Sequence, residues 1–282
     1  MSAPLILYDN LADDTGAILT ASSTAAGYDV NNVKDRKLFT SWKSTGGATE
    51  WIKIDMGAAS TRYVDSFAIS AHNLKSAGNI TIAVGYSDDD VTYSDIYPAA
   101  TPYHMVRNQT MVWDQITWSS STNGHRYWRM QFTDCTSAIQ IGAICVGRAL
   151  VFPDYMQDGF DPDSFSLVNR NHRARGGQLV GAITEYVSQH IELKIGPDLY
   201  GANWYDVVGA PSWDDFIRNH WSKAKPFWFR SGLESTSVAG GQSSISRFGW
   251  YCWAGDKSKS ASPYKSSKYR AWKFGMEALV EF

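Results

Sequence analysis

Short segments in which apolar and polar residues alternate recur through the first half of the chain. Examples are Glu50-Trp51-Ile52-Lys53-Ile54-Asp55, Ser66-Phe67-Ala68-Ile69-Ser70, Ile80-Thr81-Ile82-Ala83-Val84 and Tyr127-Trp128-Arg129-Met130-Gln131-Phe132. Successive strand side chains point to opposite faces, so this alternation predicts β-strands with one buried face each. Turn residues separate them: Gly46-Gly47, Asp55-Met56-Gly57, Ser76-Ala77-Gly78-Asn79, Ser87-Asp88-Asp89-Asp90 and Asn123-Gly124. Reversals at such short intervals predict a sandwich or jelly roll. Ile139-Gln140-Ile141 and Ala143-Ile144-Cys145-Val146 supply a closing strand, and the first unit ends near Phe152-Pro153.

The pattern then changes. Residues 153–168, rich in Asp, Pro and Gly, are expected to form a linker between a domain at 1–152 and a β-rich domain at 169–282. The second unit opens on a basic stretch with Arg170, His172, Arg173 and Arg175. Alternating Leu179, Ile183, Val187, Ile191, Leu193 and Ile195 predict one or two long strands, and Pro197-Asp198 a turn. One helix is predicted near 213–223. Ser212 caps it, Asp214 and Asp215 sit in its first turn, and Lys223 and Lys225 precede Pro226. Trp213, Phe216, Ile217 and His220 or Trp221 give it one apolar face. Aromatic strands at Phe227-Trp228-Phe229, Phe248 to Trp253 and Tyr269 to Phe282 pack around it, with Leu233 to Ser246 as a loop. The two halves share no internal repeat.

Composition adjusts this picture little. At 282 residues the chain is long enough for two domains by a prior of roughly 150 residues each. Hydrophobic residues are 44% and charged residues 19%, a globular balance. Aromatics reach 14%, which suits strands and extended interfaces. The net charge of −2 supplies no basic field, so nucleic acid is not an expected partner. The opening Met1-Ser2-Ala3-Pro4 carries no Lys or Arg, and Leu5 to Tyr8 is broken by Asp9-Asn10, so no secretory signal is read. No apolar run approaches the roughly 20 residues of a membrane span, and membrane insertion is not expected. Synthesis in a cytoplasm is expected. Cys135, Cys145 and Cys252 form no CxxC pair and read as buried thiols.

An ordered series of motifs resembles the discoidin family, also called the coagulation-factor type C or galactose-binding-like fold. The series is Leu19-Thr20-Ala21-Ser22-Ser23, Asn31-Asn32-Val33-Lys34-Asp35, Phe39-Thr40-Ser41-Trp42-Lys43-Ser44 and Glu50 to Gly57. Met56 stands where the family has Leu. The resemblance covers about half of the chain and implies a jelly-roll β-sandwich with Trp42 and Trp51 in its core. Some family members hold calcium in the Asn/Asp turn, and the matching positions are Asn32, Asp35 and Thr40. The late-strand Glu that often completes that site is missing around Gly142-Ala143-Ile144, so a hydrogen-bonded turn is expected there instead, and no cofactor. Phe67 to Leu74, followed by Ser76-Ala77-Gly78, is similar to modules of tailed-bacteriophage structural proteins. The second half, with its helix opening Ser-Trp-Asp-Asp, is similar to the barrel-plus-helix domains of tail-tube and distal-tail proteins.

No GxSxG, HExxH or GxxxxGK[ST] occurs and the six His are scattered, so no catalysis is expected. The resemblance implies a virion tail protein in contact with copies of itself in a ring, with other tail proteins and with host surfaces. The alternative is a carbohydrate-binding adhesin or lectin. For that, Tyr28, His72, Asn73, Tyr97, Tyr103 and His104 are candidate loop residues, since aromatic faces stack on sugar rings and amides bind hydroxyls. Each equally serves packing or subunit contact; His72 at a strand end reads as a hydrogen-bonding partner. The Asp88-Asp89-Asp90 run reads as a solvated hairpin turn, and the Arg170–Arg175 cluster as a solvated loop or salt-bridge arm.

Overall fold

The computed structural model describes residues 4–58, 61–97, 103–104, 108–113, 124–152, 165–176, 178–195, 211–231, 249–254 and 272–278. The first strands are β1 (Leu5–Asn10), β2 (Ile18–Ala21), β3 (Trp42–Lys43), β4 (Thr49–Asp55), β5 (Ser66–His72) and β6 (Gly78–Ser87). There follow β7 (Ser94–Tyr97), β8 (Tyr103–His104), β9 (Met111–Trp113), β10 (Tyr127–Cys135) and β11 (Gln140–Val151). The later part adds β12 (Phe165–Arg173), β13 (Leu179–Ile195), β14 (Phe227–Arg230), β15 (Trp250–Ala254) and β16 (Trp272–Ala278). The protein is mainly β, as the alternating pattern predicts.

Two antiparallel sheets face each other in the first half. One runs β2-β4-β10-β6-β7, with β8 on β6; the other includes β1-β11-β5-β9, with β3 on β11. Alternation explains their packing: Ile52 and Ile54 of β4, Trp128, Met130 and Phe132 of β10, and Phe67 and Ile69 of β5 all point into one buried cluster with Trp42. Each fully buried Leu, Ile or Phe side chain contributes about 1.5–3 kcal/mol. Trp51, expected in this core, is instead half-buried, because it alternates with Ile52 and so faces outward.

The second sheet does not stop at the sandwich. β1 pairs with β11 on one side and with β14 on the other, with Leu5 opposite Val151 and Arg230, and Leu7 opposite Ala149 and Trp228. The order continues β14-β15-β16-β13-β12, so one ten-stranded sheet runs through both halves. β1 therefore has no open edge, and over Leu5–Tyr8 both of its faces are covered as well. Leu5 and Leu7 enter one cluster with Ala68, Ala143, Cys145, Trp228 and Tyr251, while Ile6 and Tyr8 enter another with Phe216, Phe227 and Phe229. The first of these clusters places β14 and β15 against the back of β5 and β11, where Ala68, Ser70, Ala143 and Cys145 are small enough to admit them. β12 begins at Phe165, inside the stretch expected as a linker to residue 168, and the basic residues Arg170 and Arg173 lie in a strand rather than a loop. β13 is one strand of 17 residues. The expected turn at Pro197-Asp198 and loop Leu233 to Ser246 lie outside the described residues.

The predicted helix is present over 213–223 but is not uniformly α. It passes from an α turn, Trp213–Asp215, through a π segment, Phe216–His220, to a 3-10 turn, Trp221–Lys223. Ser212 Oγ accepts the Asp215 N–H at 3.1 Å, as its capping role requires. Trp213, Phe216 and His220 are buried against β1 and β14. Tyr8 ties this helix to the shared strand: its hydroxyl accepts the Ser212 N–H at 3.1 Å and lies 3.0 Å from both the Ser212 carbonyl and an Asp215 carboxylate oxygen. Burial first, then the Asp215 charge, pushes the Tyr8 phenol far above its ordinary range. Tyr8→Phe leaves the Ser212 amide and the Asp215 carboxylate with one partner fewer, and is expected to cost about 1–3 kcal/mol. Chemical denaturation followed by tryptophan emission measures it; an unchanged midpoint would show that water replaces the phenol.

Candidate functional site

Register gathers one set of loops at one end of the sandwich. β5 ends at His72 opposite Ile141, β11 begins at Gln140 opposite Lys43, and β4 begins at Thr49 opposite Thr133. β6 begins at Gly78, opposite Cys135, and His104 of β8 sits opposite Thr81. The segments 22–48, 73–77 and 136–139 meet here.

The longest of these is shaped by Glu50, which is 1% exposed. Its carboxylate accepts from the hydroxyls of Ser22 and Ser23, the latter at 2.9 Å, and from the Gly47 N–H at 2.6 Å. Ser23 extends the knot, its hydroxyl accepting the Thr45 N–H and its carbonyl the Trp42 indole N–H, both at 3.0 Å. Burial pushes the Glu50 carboxyl up, but the hydrogen bonds from Ser22, Gly47 and Ser23 outweigh it and hold the group below its ordinary value.

On this fixed frame two aromatics face solvent. Phe39 is 86% exposed and Tyr28 36% exposed. Tyr28 closes a turn by donating its N–H to the Ala25 carbonyl at 3.1 Å, and the Lys43 ammonium lies 5.5 Å from its ring centre. Beside it Asp29 accepts the Asn31 backbone and side-chain N–H groups at 2.7 and 2.9 Å. An aromatic ring flanked by an ammonium, an amide and a carboxylate offers both a stacking face and hydroxyl partners.

The other candidates fall differently. Tyr28, His72, Asn73, Tyr103 and His104 do share this end, but Tyr103 and His104 are strand residues of β8, and Tyr97 ends β7 opposite Val84. The loop placement expected for these three is therefore corrected: β6 is 10 residues long and its length recruits them as edge partners. His72 is buried, not presented. Its Nδ1 accepts the Leu74 N–H at 3.3 Å, which leaves Nε2–H to donate to the Gln109 carbonyl at 2.8 Å. Burial pushes its pKa down to about 4, so the ring is neutral. Asn73 is spent on the backbone as well, donating to Ala138 O at 3.1 Å and accepting the Gln140 N–H at 2.7 Å.

The Asn/Asp turn does not fit a calcium ion. Asn32 donates its amide to Ser41 O at 2.9 Å. The two Asp35 carboxylate oxygens accept from the Lys37 N–H at 2.8 Å and the Thr40 hydroxyl at 2.7 Å. Thr40 thus uses as a donor the oxygen a cation would take, and among the described residues no group of three or more His, Cys, Asp or Glu is placed to hold a metal. At the opposite end, Asp89 accepts the Thr92 and Val91 N–H groups at 2.9 Å, which lowers its pKa to about 2 and closes the hairpin turn between β6 and β7.

Phe39 and Glu50 carry this site and neither was singled out for it by sequence. Phe39 stood in a framework motif; its signal is the pair Leu38-Phe39, of which Leu38 packs against the rest of the chain and Phe39 is left outside.

Comparison with known proteins gives a likeness over half of the chain. No family model matches, and no curated protein matches. Among solved structures, a GH29 fucosidase of Ruminococcus gnavus in complex with fucose is 22% identical, with a TM-score of 0.40. That match covers 50% of this chain, which spans only 27% of the fucosidase. The module CpGH89CBM32-6 of Clostridium perfringens is 16% identical over 49% of this chain and 98% of its own, with a TM-score of 0.38. A chitosan-binding module from a chitosanase/glucanase of Paenibacillus is 20% identical over 49% of this chain and 98% of its own, also with a TM-score of 0.38. No helix among the described residues is long and apolar enough to cross a membrane.

Proposed function

We propose that this chain is a non-enzymatic binding and assembly protein whose β-sandwich contacts carbohydrate through the 22–48 loop. The observation that carries this reading is the exposure of Phe39 and Tyr28 on a loop fixed from beneath by Glu50. A preformed aromatic face loses little entropy on binding a flat sugar ring, and Lys43, Asn31 and Asp29 supply hydroxyl partners. The setting proposed for it is a bacteriophage tail, which the wording of Phe67 to Gly78 and the Ser212-to-Asp215 helix start support. The shared strand β1 favours the same reading, because it fixes the sandwich rigidly on a second unit, as an outward-facing module on an assembly requires.

Phe39→Ala combined with Tyr28→Ala is expected to reduce retention on a glycan array at least about tenfold while leaving thermal stability within about 0.5 kcal/mol, since both are surface positions. Wild-type protein that retains no glycan, or a double variant that binds unchanged, sinks the carbohydrate reading. Negative-stain images of the full chain test the setting: rings or incorporation into tail particles support it, and a monodisperse monomer that never joins a particle overturns it.

A further inference from the structure

The segment after His72 is held from two sides: Asn73 and Ala77 bond to residues 136–140, while His72, Lys75 and Ser76 bond to the short stretch Asn108–Thr110. His72 Nε2 donates to Gln109 O at 2.8 Å. Asn108 Oδ1 accepts the Lys75 N–H at 2.7 Å and the Ser76 N–H at 3.3 Å, and its Nδ2 donates to Ser76 Oγ at 2.6 Å. This stretch precedes β9, a strand of three residues that pairs with β5. Three residues are too few to fix a loop by themselves.

The second unit supplies the remainder. The Trp228 indole of β14 donates to Ser70 Oγ at 2.8 Å, and Ser70 Oγ lies 2.8 Å from Thr110 Oγ1. Gly249, just before β15, donates its N–H to Thr110 O at 3.1 Å, and Arg230 Nη1 reaches Val112 O at 3.4 Å. The groups in this chain are sealed from water: Ser70 is 0%, Thr110 4% and Trp228 5% exposed. Gly249 is required for the approach, since a Cβ there would stand 2.5 Å from Val112 Cγ2 and 2.7 Å from Phe229 O.

We infer that Trp228 is a positioning residue for the binding end of the sandwich: through Ser70 and Thr110 the second unit helps set the conformation of the 73–77 loop, which shares the 136–140 segment with the aromatic 22–48 loop. The two halves are then coupled, and a change in how β14 and β15 are held is transmitted to the loop end. This rests on the carbohydrate reading for its purpose, but its structural content is independent of any ligand.

Hydrogen–deuterium exchange of the full-length chain tests it without a glycan. Ser70→Ala removes the middle hydroxyl at little cost in volume, and Trp228→Phe removes the donor from the other unit. Both are expected to speed exchange of the Lys75 and Ser76 amides about tenfold, with β4 and β10 amides unchanged. Rates at Lys75 and Ser76 that do not move in either variant overturn the inference. So does a rise spread evenly over β4 and β10, which marks general loss of stability. If the local rise appears while wild-type protein retains no glycan, the coupling stands and only the carbohydrate reading fails.

Discussion

Gly147→Ala is expected to lower the thermal midpoint by roughly 6–12 °C, corresponding to about 3 kcal/mol, the upper range for forcing a methyl group into a filled site. Gly147 is the residue at which β11 changes partner: it is the last opposite β5, facing Ser66, and the first opposite β1, facing Asn10. β1 bulges here, between Leu7 and Asp9, which carries the Asp9 carbonyl oxygen into the place a Cβ at 147 would take. Asn10 then repairs the interrupted ladder, donating to Ile144 O at 3.0 Å and accepting the Val146 N–H at 3.2 Å. A methyl group at 147 pushes β1 off β11, and with it the seam to β14. Differential scanning calorimetry reads the shift, with Gly176→Ala as the control because nothing lies within 4 Å of a Cβ there. A midpoint within about 2 °C of wild type would mean that the bulge yields to the methyl group.

Glu50→Ala is expected to cost about 1–3 kcal/mol, because it removes the acceptor shared by the half-buried Ser22 and Ser23 hydroxyls and the Gly47 amide. Glu50→Gln, which keeps one accepting oxygen, is expected to cost less. The pH dependence has a definite sign. The folded carboxyl titrates below its ordinary value, so the carboxylate's contribution is fully present above about 4.3, the ordinary glutamate value, and is lost as pH falls through the lowered folded value. Urea midpoints measured at about pH 7 and about pH 3 therefore fall more for wild type than for Glu50→Gln. Equal falls in the two proteins would show that Glu50 is not the group responsible.

β4 and β10 were legible because each displays the period of two that a half-buried strand must have, and the helix because Ser212, its acidic first turn and its aromatic spacing agree. What sequence hid were positions where both faces are buried. Leu5-Ile6-Leu7-Tyr8 is apolar throughout, a run too short to identify by period, and its second partner, β14, lies more than 200 positions away. The small residues Ala68, Ser70, Ala143 and Cys145 read only as positions within two strands, whereas they make room for Trp228 and Tyr251. At the loop end of the sandwich, an ordered motif naming Phe39 beside Thr40 and Trp42 gave no hint that the ring faces solvent, since backbone direction and not composition decides which of Leu38 and Phe39 turns inward. His72 was legible as a hydrogen-bonding residue because its place at a strand end leaves amides nearby to serve.

The position of β1 also bears on how the chain reaches this state. Leu5 pairs with Val151 and Arg230, so both neighbours of β1 are synthesised long after it. Closing such spans before any contact rewards them slows folding, and until then the strand has two unpaired backbone edges and two apolar faces. An interior strand of the finished sheet is thus an unpaired apolar segment in the nascent chain, and pairing with β14 is what joins it to the second half.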